Sequence, residues 1–204
     1  MFSSMKALAV LVVSWMPFSA EAVNPVFKFG EPTYFGSGCP NASIEIVSAT
    51  DAQSVSLMFS KYSATTGKSL TRDRKTCDLS VPVELLPGIT IGIFKTDYRG
   101  YAYVPDTPSA YLEFSASYFF AGTQGPSYKK RWNAGTDEDV FISNNLTATA
   151  IAWSPCKPST ILRINTAIIA SKPTLQGQNP SIAIDTTDIT IDRGIEFFLT
   201  YKKC

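Results

Sequence analysis

Cys77-Asp78-Leu79-Ser80-Val81-Pro82-Val83-Glu84-Leu85 reads as a β-strand. Leu79, Val81, Val83 and Leu85 fall on one side and Asp78, Ser80, Pro82 and Glu84 on the other, and a period of two is the mark of a half-buried strand. Pro82 has no N–H to give to a ladder, which predicts an edge strand. Pro87-Gly88 then turns the chain into Ile89, Ile91 and Ile93, a second strand closing at Asp97-Tyr98-Arg99-Gly100. The two are expected to pair as an antiparallel hairpin.

The same alternation continues on both sides. Upstream, Pro25 and Pro32 break an extended surface segment, and Gly36-Ser37-Gly38-Cys39-Pro40 marks a tight corner. Ile44 with Ile46, and Val55, Leu57 and Phe59, are strand faces; Thr65 to Lys75, with the run Arg72-Asp73-Arg74-Lys75, is expected to be an exposed loop. Downstream, Leu112, Phe114, Ala116, Tyr118 and Phe120 make one long inward face. Tyr128 to Asp139 reads as a loop or short edge strand. Ala150-Ile151-Ala152-Trp153-Ser154-Pro155-Cys156 is expected to be the apolar centre about which the rest wraps, with Trp153 in the core. Leu162, Ile164 and Ile168 form another strand, a loop runs from Pro173 to Pro180, and Ile182 with Ile184, Ile189 with Ile191, and Ile195 to Tyr201 complete the series. Many short strands, regular turn signals and no amphipathic helix predict an all-β fold, an antiparallel two-sheet β-sandwich of jelly-roll-like or immunoglobulin-like form.

Composition bounds what such a chain can do. Its 204 residues are 45% hydrophobic with a formal net charge of +1, which suits one globular domain and gives no basic excess for nucleic acid. Lys6, the apolar run Ala7 to Val13 and the Ala20-Glu21-Ala22 cleavage pattern read as a signal peptide over 1–22, leaving a secreted domain over 23–204 with no membrane span. Cys39, Cys77, Cys156 and Cys204 all follow that leader, and an even count in an exported chain implies disulfides. Four cysteines allow three pairings; Cys39 with Cys77 and Cys156 with Cys204 gives one bridge to each half of the chain.

The chain contains no histidine, and serine, cysteine and zinc hydrolases ordinarily need imidazole as base or ligand. Carboxylate chemistry on a glycosidic bond is what remains, with Glu45, Glu84, Asp97, Glu113, Asp185 and Glu196 as candidates. Asp137-Glu138-Asp139 and the set Asp185, Asp188 and Asp192 could offer oxygens to calcium, although neither has EF-hand spacing and turn Asp commonly bonds its own backbone. No metal or cofactor is therefore assigned. Tyr98, Arg99, Tyr101, Tyr103, Tyr128 and Trp132 are the candidate ligand surface, since aromatic rings beside cationic groups suit sugar binding and Tyr101 and Tyr103 share one strand face. The competing use of these residues is core and rim packing. Asn41-Ala42-Ser43 and Asn145-Leu146-Thr147 are N-glycosylation sequons at turn-like, accessible positions.

Taken in order, Gly36 to Pro40, Arg74-Lys75-Thr76-Cys77, Asp97-Tyr98-Arg99-Gly100, Tyr118-Phe119-Phe120-Ala121-Gly122, Trp153-Ser154-Pro155-Cys156 and the terminal Cys204 resemble a four-cysteine secreted-protein family of fungi and bacteria, domain of unknown function 4360. The resemblance spans nearly all of the mature chain and departs at Lys157, where the family pattern has a glycine. It implies secretion and a four-cysteine framework, and no catalytic residues. The leading expectation is a non-catalytic extracellular protein that binds glycan or protein. The alternatives are a carboxylate-dependent enzyme on polysaccharide and a structural wall or matrix component.

Overall fold

A computed structural model describes residues 26–48, 54–147, 150–184 and 195–204. The leader expected over 1–22 and the strand expected at Ile189 and Ile191 lie outside them. Alternation in the sequence becomes fourteen strands, with no helix among the described residues. They are β1 (Phe27–Phe29), β2 (Thr33–Phe35), β3 (Ile44–Ser48), β4 (Ser54–Phe59), β5 (Ser63–Thr65), β6 (Arg72–Leu85) and β7 (Ile89–Val104). The rest are β8 (Tyr111–Phe120), β9 (Ser127–Asn133), β10 (Thr136–Asn145), β11 (Ala152–Trp153), β12 (Ser159–Ser171), β13 (Ser181–Ala183) and β14 (Ile195–Lys203).

Two antiparallel sheets pack face to face as a sandwich. In the first, β6, β12, β8 and β9 follow one another, and β1 and β2 share the outer edge of β6. In the second, β3, β4, β14 and β7 are consecutive; β13 follows β14 along the same edge of β7 and passes on to β5, while β11 and β10 take the other edge. Edge-to-face aromatic pairs join the sheets: Tyr98 of β7 meets Phe114 of β8 at 4.8 Å between ring centroids, and Tyr118 of β8 meets Phe197 of β14 at 5.9 Å. Each such pair adds about 0.5–1.5 kcal/mol to the burial of its apolar area.

Several expectations are corrected by which sheet a strand joins. β6 and β7 do not form a hairpin; the turn at Pro87-Gly88 carries the chain from one sheet to the other. An alternating apolar face asks only to be buried, and here the facing sheet buries it, since β6 already has β12 on one edge and β1 and β2 on the other. Nor is β6 a bare edge. The missing N–H of Pro82 falls in the gap between β1 and β2, where Gly30 donates to the Pro82 carbonyl at 2.8 Å, so no ladder bond is lost to it. Arg72 to Lys75 is strand, and Tyr128 to Asp139 is the edge strand β9 followed by β10 in the opposite sheet. The true centre of the first sheet is β12; the expected central segment contributes only the two-residue β11, and Trp153 is half-buried with the Lys202 ammonium 3.9 Å over its ring.

The corner before Cys39 is built as its glycines imply. Gly36 has φ 140°, and a Cβ there would lie 2.1 Å from the Thr76 carbonyl oxygen; at Gly38 it would lie 2.4 Å from the Tyr62 ring. Tyr62, wholly buried, donates its hydroxyl to Thr166 Oγ1 at 2.8 Å, and Thr166 donates to the Cys77 carbonyl at 3.1 Å. The bridges join Cys39 to Cys77 and Cys156 to Cys204, with Cα separations of 5.4 and 6.0 Å. The first is buried in the core, whereas the second is exposed and clamps β11 and β14 across the start of β7. Lys157 takes no positive φ, so its turn needs no glycine.

With sequence separations of 38 and 48 residues, each loop is worth about 4 kcal/mol in the chain-entropy model. The buried bridge adds packing to that constraint. Replacing Cys39 and Cys77 by Ala is expected to cost more stability than replacing Cys156 and Cys204, as read by denaturant unfolding; equal losses would contradict the packing difference.

Candidate ligand-binding surface

The candidate surface is decided by which way each residue of β7 points. Ile91 and Ile93 face the core at 0% exposure, and so do Thr96, Tyr98 and Ala102. The inward positions change from odd to even between Ile93 and Thr96, where the pairing with β14 jumps from Lys95 to Ile93 and leaves Phe94 unpaired. That extra residue is a β-bulge, and a one-residue slip moves every following side chain to the other face. Lys95, Asp97, Arg99, Tyr101 and Tyr103 consequently line the outer face of the second sheet.

Only part of the expected ligand surface is brought together there. Arg99, Tyr101 and Tyr103 share the outer face, with Tyr101 42% exposed. Tyr98 is wholly buried and stacked on the half-buried ring of Tyr128, 5.5 Å away. Trp132 is buried and donates its indole N–H to Glu138 Oε1 at 2.9 Å. Those three serve the core and its rim, because inward and outward positions alternate along each strand.

Neighbouring strands complete the surface. Register places Phe141 beside Arg99, Asp139 and Ala183 on either side of Tyr101, and Asp137 and Ser181 on either side of Tyr103. Beyond β13, Ser63 and Thr65 of β5 continue the same rows with small side chains. The Tyr101 hydroxyl donates to Asp137 Oδ1, the Tyr103 hydroxyl donates to Gln178 Oε1 at 2.9 Å, and the Arg99 guanidinium lies 4.5 Å over the Phe141 ring. Gly100 lets β13 close in, as a Cβ would stand 2.0 Å from the Ala183 carbonyl oxygen. Gln178 comes from the loop expected between Pro173 and Pro180. The buried Lys172 holds that loop, its ammonium donating to the Leu175 carbonyl at 3.1 Å and to Asn179 Oδ1 at 2.7 Å. Sequence reading missed Phe141, Gln178 and Lys172; pairing across a sheet is not written in a single strand.

Asp137 and Asp139 face out while Glu138 bonds Trp132 on the other side, so these three do not converge on a cation. Among the described residues no group of three or more His, Cys, Asp or Glu is placed to hold a metal. Asp185, Asp188 and Asp192 lie outside the described residues. Of the carboxylates considered for catalysis, Asp97 and Glu196 are cross-strand partners, both 4% exposed, and Lys95 bridges Asp97 Oδ2 at 2.8 Å. Two open depressions hold one carboxylate each, Glu45 and Glu84. Asn41 and Asn145 are both exposed.

The family model for the domain of unknown function 4360 matches residues 28–204. The chain belongs to that family. A relative from Arthroderma benhamiae, described as an uncharacterized secreted protein, is 31% identical over 138 residues, covering 67% of this chain and 56% of the relative. The match thus spans little more than half the length of that relative, and the two disulfides of this chain agree with a secreted protein. The solved structure of TmCBM61 in complex with beta-1,4-galactotriose is similar at TM-score 0.31 and 9% identity over 85% of this chain and 88% of its own. Among the described residues no helix is long and apolar enough to cross a membrane.

The hydrogen bond to Asp137 raises the Tyr101 phenol above the usual tyrosine range, with desolvation and the charges of Asp137 and Asp139 acting the same way. Deprotonation would set a phenolate beside two carboxylates. Replacing Asp137 by Asn is expected to lower the Tyr101 midpoint toward that of a free tyrosine in an NMR titration; an unchanged midpoint would show that Asp137 does not hold the hydroxyl.

Proposed function

We propose that this chain is a secreted, non-catalytic glycan-binding β-sandwich, its mature domain starting at Val23, and that the outer face of the second sheet is the binding surface. The observation that carries the reading is the strip of Arg99, Tyr101 and Tyr103 flanked by Asp137, Asp139 and Phe141. Sugar rings present apolar C–H faces edged by hydroxyls, so they call for aromatic faces beside charged acceptors and donors. Tyr101 and Tyr103 stand two residues apart on one strand, about 6.7 Å, and their hydroxyl bonds fix the rings before any ligand arrives. The small side chains of Ser63, Thr65, Ser181 and Ala183 leave room beside them.

Isothermal titration with neutral oligosaccharides tests this directly. Each of Tyr101→Ala and Tyr103→Ala is expected to weaken binding up to about tenfold, the value of one aromatic contact, without changing the melting temperature. Trp132→Ala, by contrast, removes a buried side chain and is expected to cost about 3–5 kcal/mol of stability. No binding of any neutral glycan, or neutral-glycan binding that survives loss of both tyrosines, would sink the proposal. Capture of a protein ligand through the same strip would replace glycan with protein.

A second reading rests on Asp97 and Glu196, which face each other two positions from the strip. Sugar release abolished by Asp97→Asn or Glu196→Gln would make the chain a carboxylate-dependent enzyme. Glycans on Asn41 and Asn145 belong to the same proposal, since both side chains stand in solvent. Treating protein secreted by a eukaryotic host with an N-glycosidase is expected to lower its mass, and Asn41→Gln with Asn145→Gln to abolish the difference.

A further inference from the structure

The two basic runs of the sequence, Arg72 to Lys75 and Lys129 to Arg131, meet on the outer face of the first sheet, opposite the tyrosine strip. Strand alternation sorts their charges. Arg72 and Arg74 point outward from β6, while Asp73 is turned away to accept the Thr65 N–H at 3.1 Å and to pair with Lys75. Lys129 and Arg131 point outward from β9, and Tyr128 and Trp132 point in. Register across β6, β12, β8 and β9 aligns Arg72, Ser171, Tyr111 and Asn133 in one row, Arg74, Ile169, Glu113 and Arg131 in the next, and Thr76, Ala167, Ser115 and Lys129 in a third.

Basic walls therefore flank a floor in which Ser171, Ala167 and Ser115 lie among Tyr111, Ile169 and Glu113. β6 and β9 stand three strand spacings apart, about 14 Å, and successive outward residues on each are about 6.7 Å apart. Within these three rows Arg72, Arg74, Lys129 and Arg131 face one carboxylate, Glu113, which Lys129 holds at 2.9 Å; Asp78 follows one row on, and Glu84 lies farther along β6. Tyr111 is fixed between the walls: Arg72 donates to its hydroxyl at 2.8 Å, and the Arg131 guanidinium lies 3.7 Å over its ring. The opposite face of the molecule carries Glu45, Asp97, Asp137, Asp139 and Glu196 against Lys95, Arg99 and Lys202. A net charge of +1 conceals this separation of sign.

We propose that this face binds an acidic polysaccharide, with Arg74 and Arg131 taking the carboxylates of its sugars. Arginine forks match carboxylates with paired hydrogen bonds. The hydroxyls of Ser115, Ser171 and Thr76 offer partners to sugar hydroxyls, and a trough of this width admits a single extended glycan chain. The floor lacks the exposed apolar core that a tight protein partner requires. Arg131 already covers a face of Tyr111, so the ring does not present the open platform that single-stranded nucleic acid needs.

Polygalacturonate, a neutral galactan and polyglutamate are the probes, compared by titration at low and raised salt. Polygalacturonate is expected to bind, to weaken with salt, and to lose roughly tenfold or more in affinity in Arg74→Gln/Arg131→Gln at an unchanged melting temperature. Equal binding of polyglutamate would reduce the face to general anion attraction and overturn the assignment. No binding of polygalacturonate at low salt would also overturn it, as would binding lost in Tyr101→Ala/Tyr103→Ala and kept in Arg74→Gln/Arg131→Gln. The tyrosine strip is tested by the neutral probe, so either face can fail without the other.

Discussion

One extra residue in β7 determines which side chains of this protein meet solvent. β7 is the longest strand and the spine of its sheet, and Phe94 stands unpaired between the partners of Phe198 and Leu199. Before it, the odd positions Ile91 and Ile93 fill the core; after it, the even positions Thr96, Tyr98 and Ala102 do. Had the ladder run on without the bulge, Arg99, Tyr101 and Tyr103 would point into the sandwich and Tyr98 outward. Phe94 itself is 38% exposed, so the bulge places an aromatic ring at the surface while it redirects the rest of the strand.

Alternation then sorts chemistry as it sorts burial. In the run Arg72 to Lys75 the outward positions are arginines and the carboxylate of Asp73 turns to the loop side, while in Asp137 to Asp139 the outward positions are carboxylates and Glu138 supports Trp132. The two sheets thus gather cations at one end of β6 and β9 on one face, and carboxylates beside Tyr101 and Tyr103 on the other. The core between them is braced by Tyr98 on Phe114, Tyr118 on Phe197, and the Tyr62 hydroxyl bonded to Thr166 beside the buried cystine.

Much of this fold is legible in single segments. Leu79 to Leu85 and Leu112 to Phe120 announce their inward faces by composition alone, and the glycines before Cys39 foretell a corner too tight for side chains. Pairing is not legible in the same way. The Pro87-Gly88 turn serves a hairpin or a crossing between sheets equally well, and only the presence of β1, β2 and β12 on the edges of β6 decides it. The site was partly legible for the same reason: spacing put Tyr101 and Tyr103 on one face, but nothing local distinguishes Tyr98 and Trp132, which pack inward, from rings that meet water. Gln178 and Phe141 reach the strip by register, and Lys172 reaches the loop carbonyl at Leu175 through burial that no composition rule favours for lysine.

Oxidative footprinting of the secreted protein in solution is the most direct measurement of how β7 divides its side chains between core and solvent. The bulge at Phe94 predicts strong labelling at Phe94, Tyr101 and Phe141, with Tyr98, Tyr118 and Trp132 protected. Labelling of Tyr98 to the same degree as Tyr101 would mean that the strand runs through with the opposite parity, and the surface built on it would not exist.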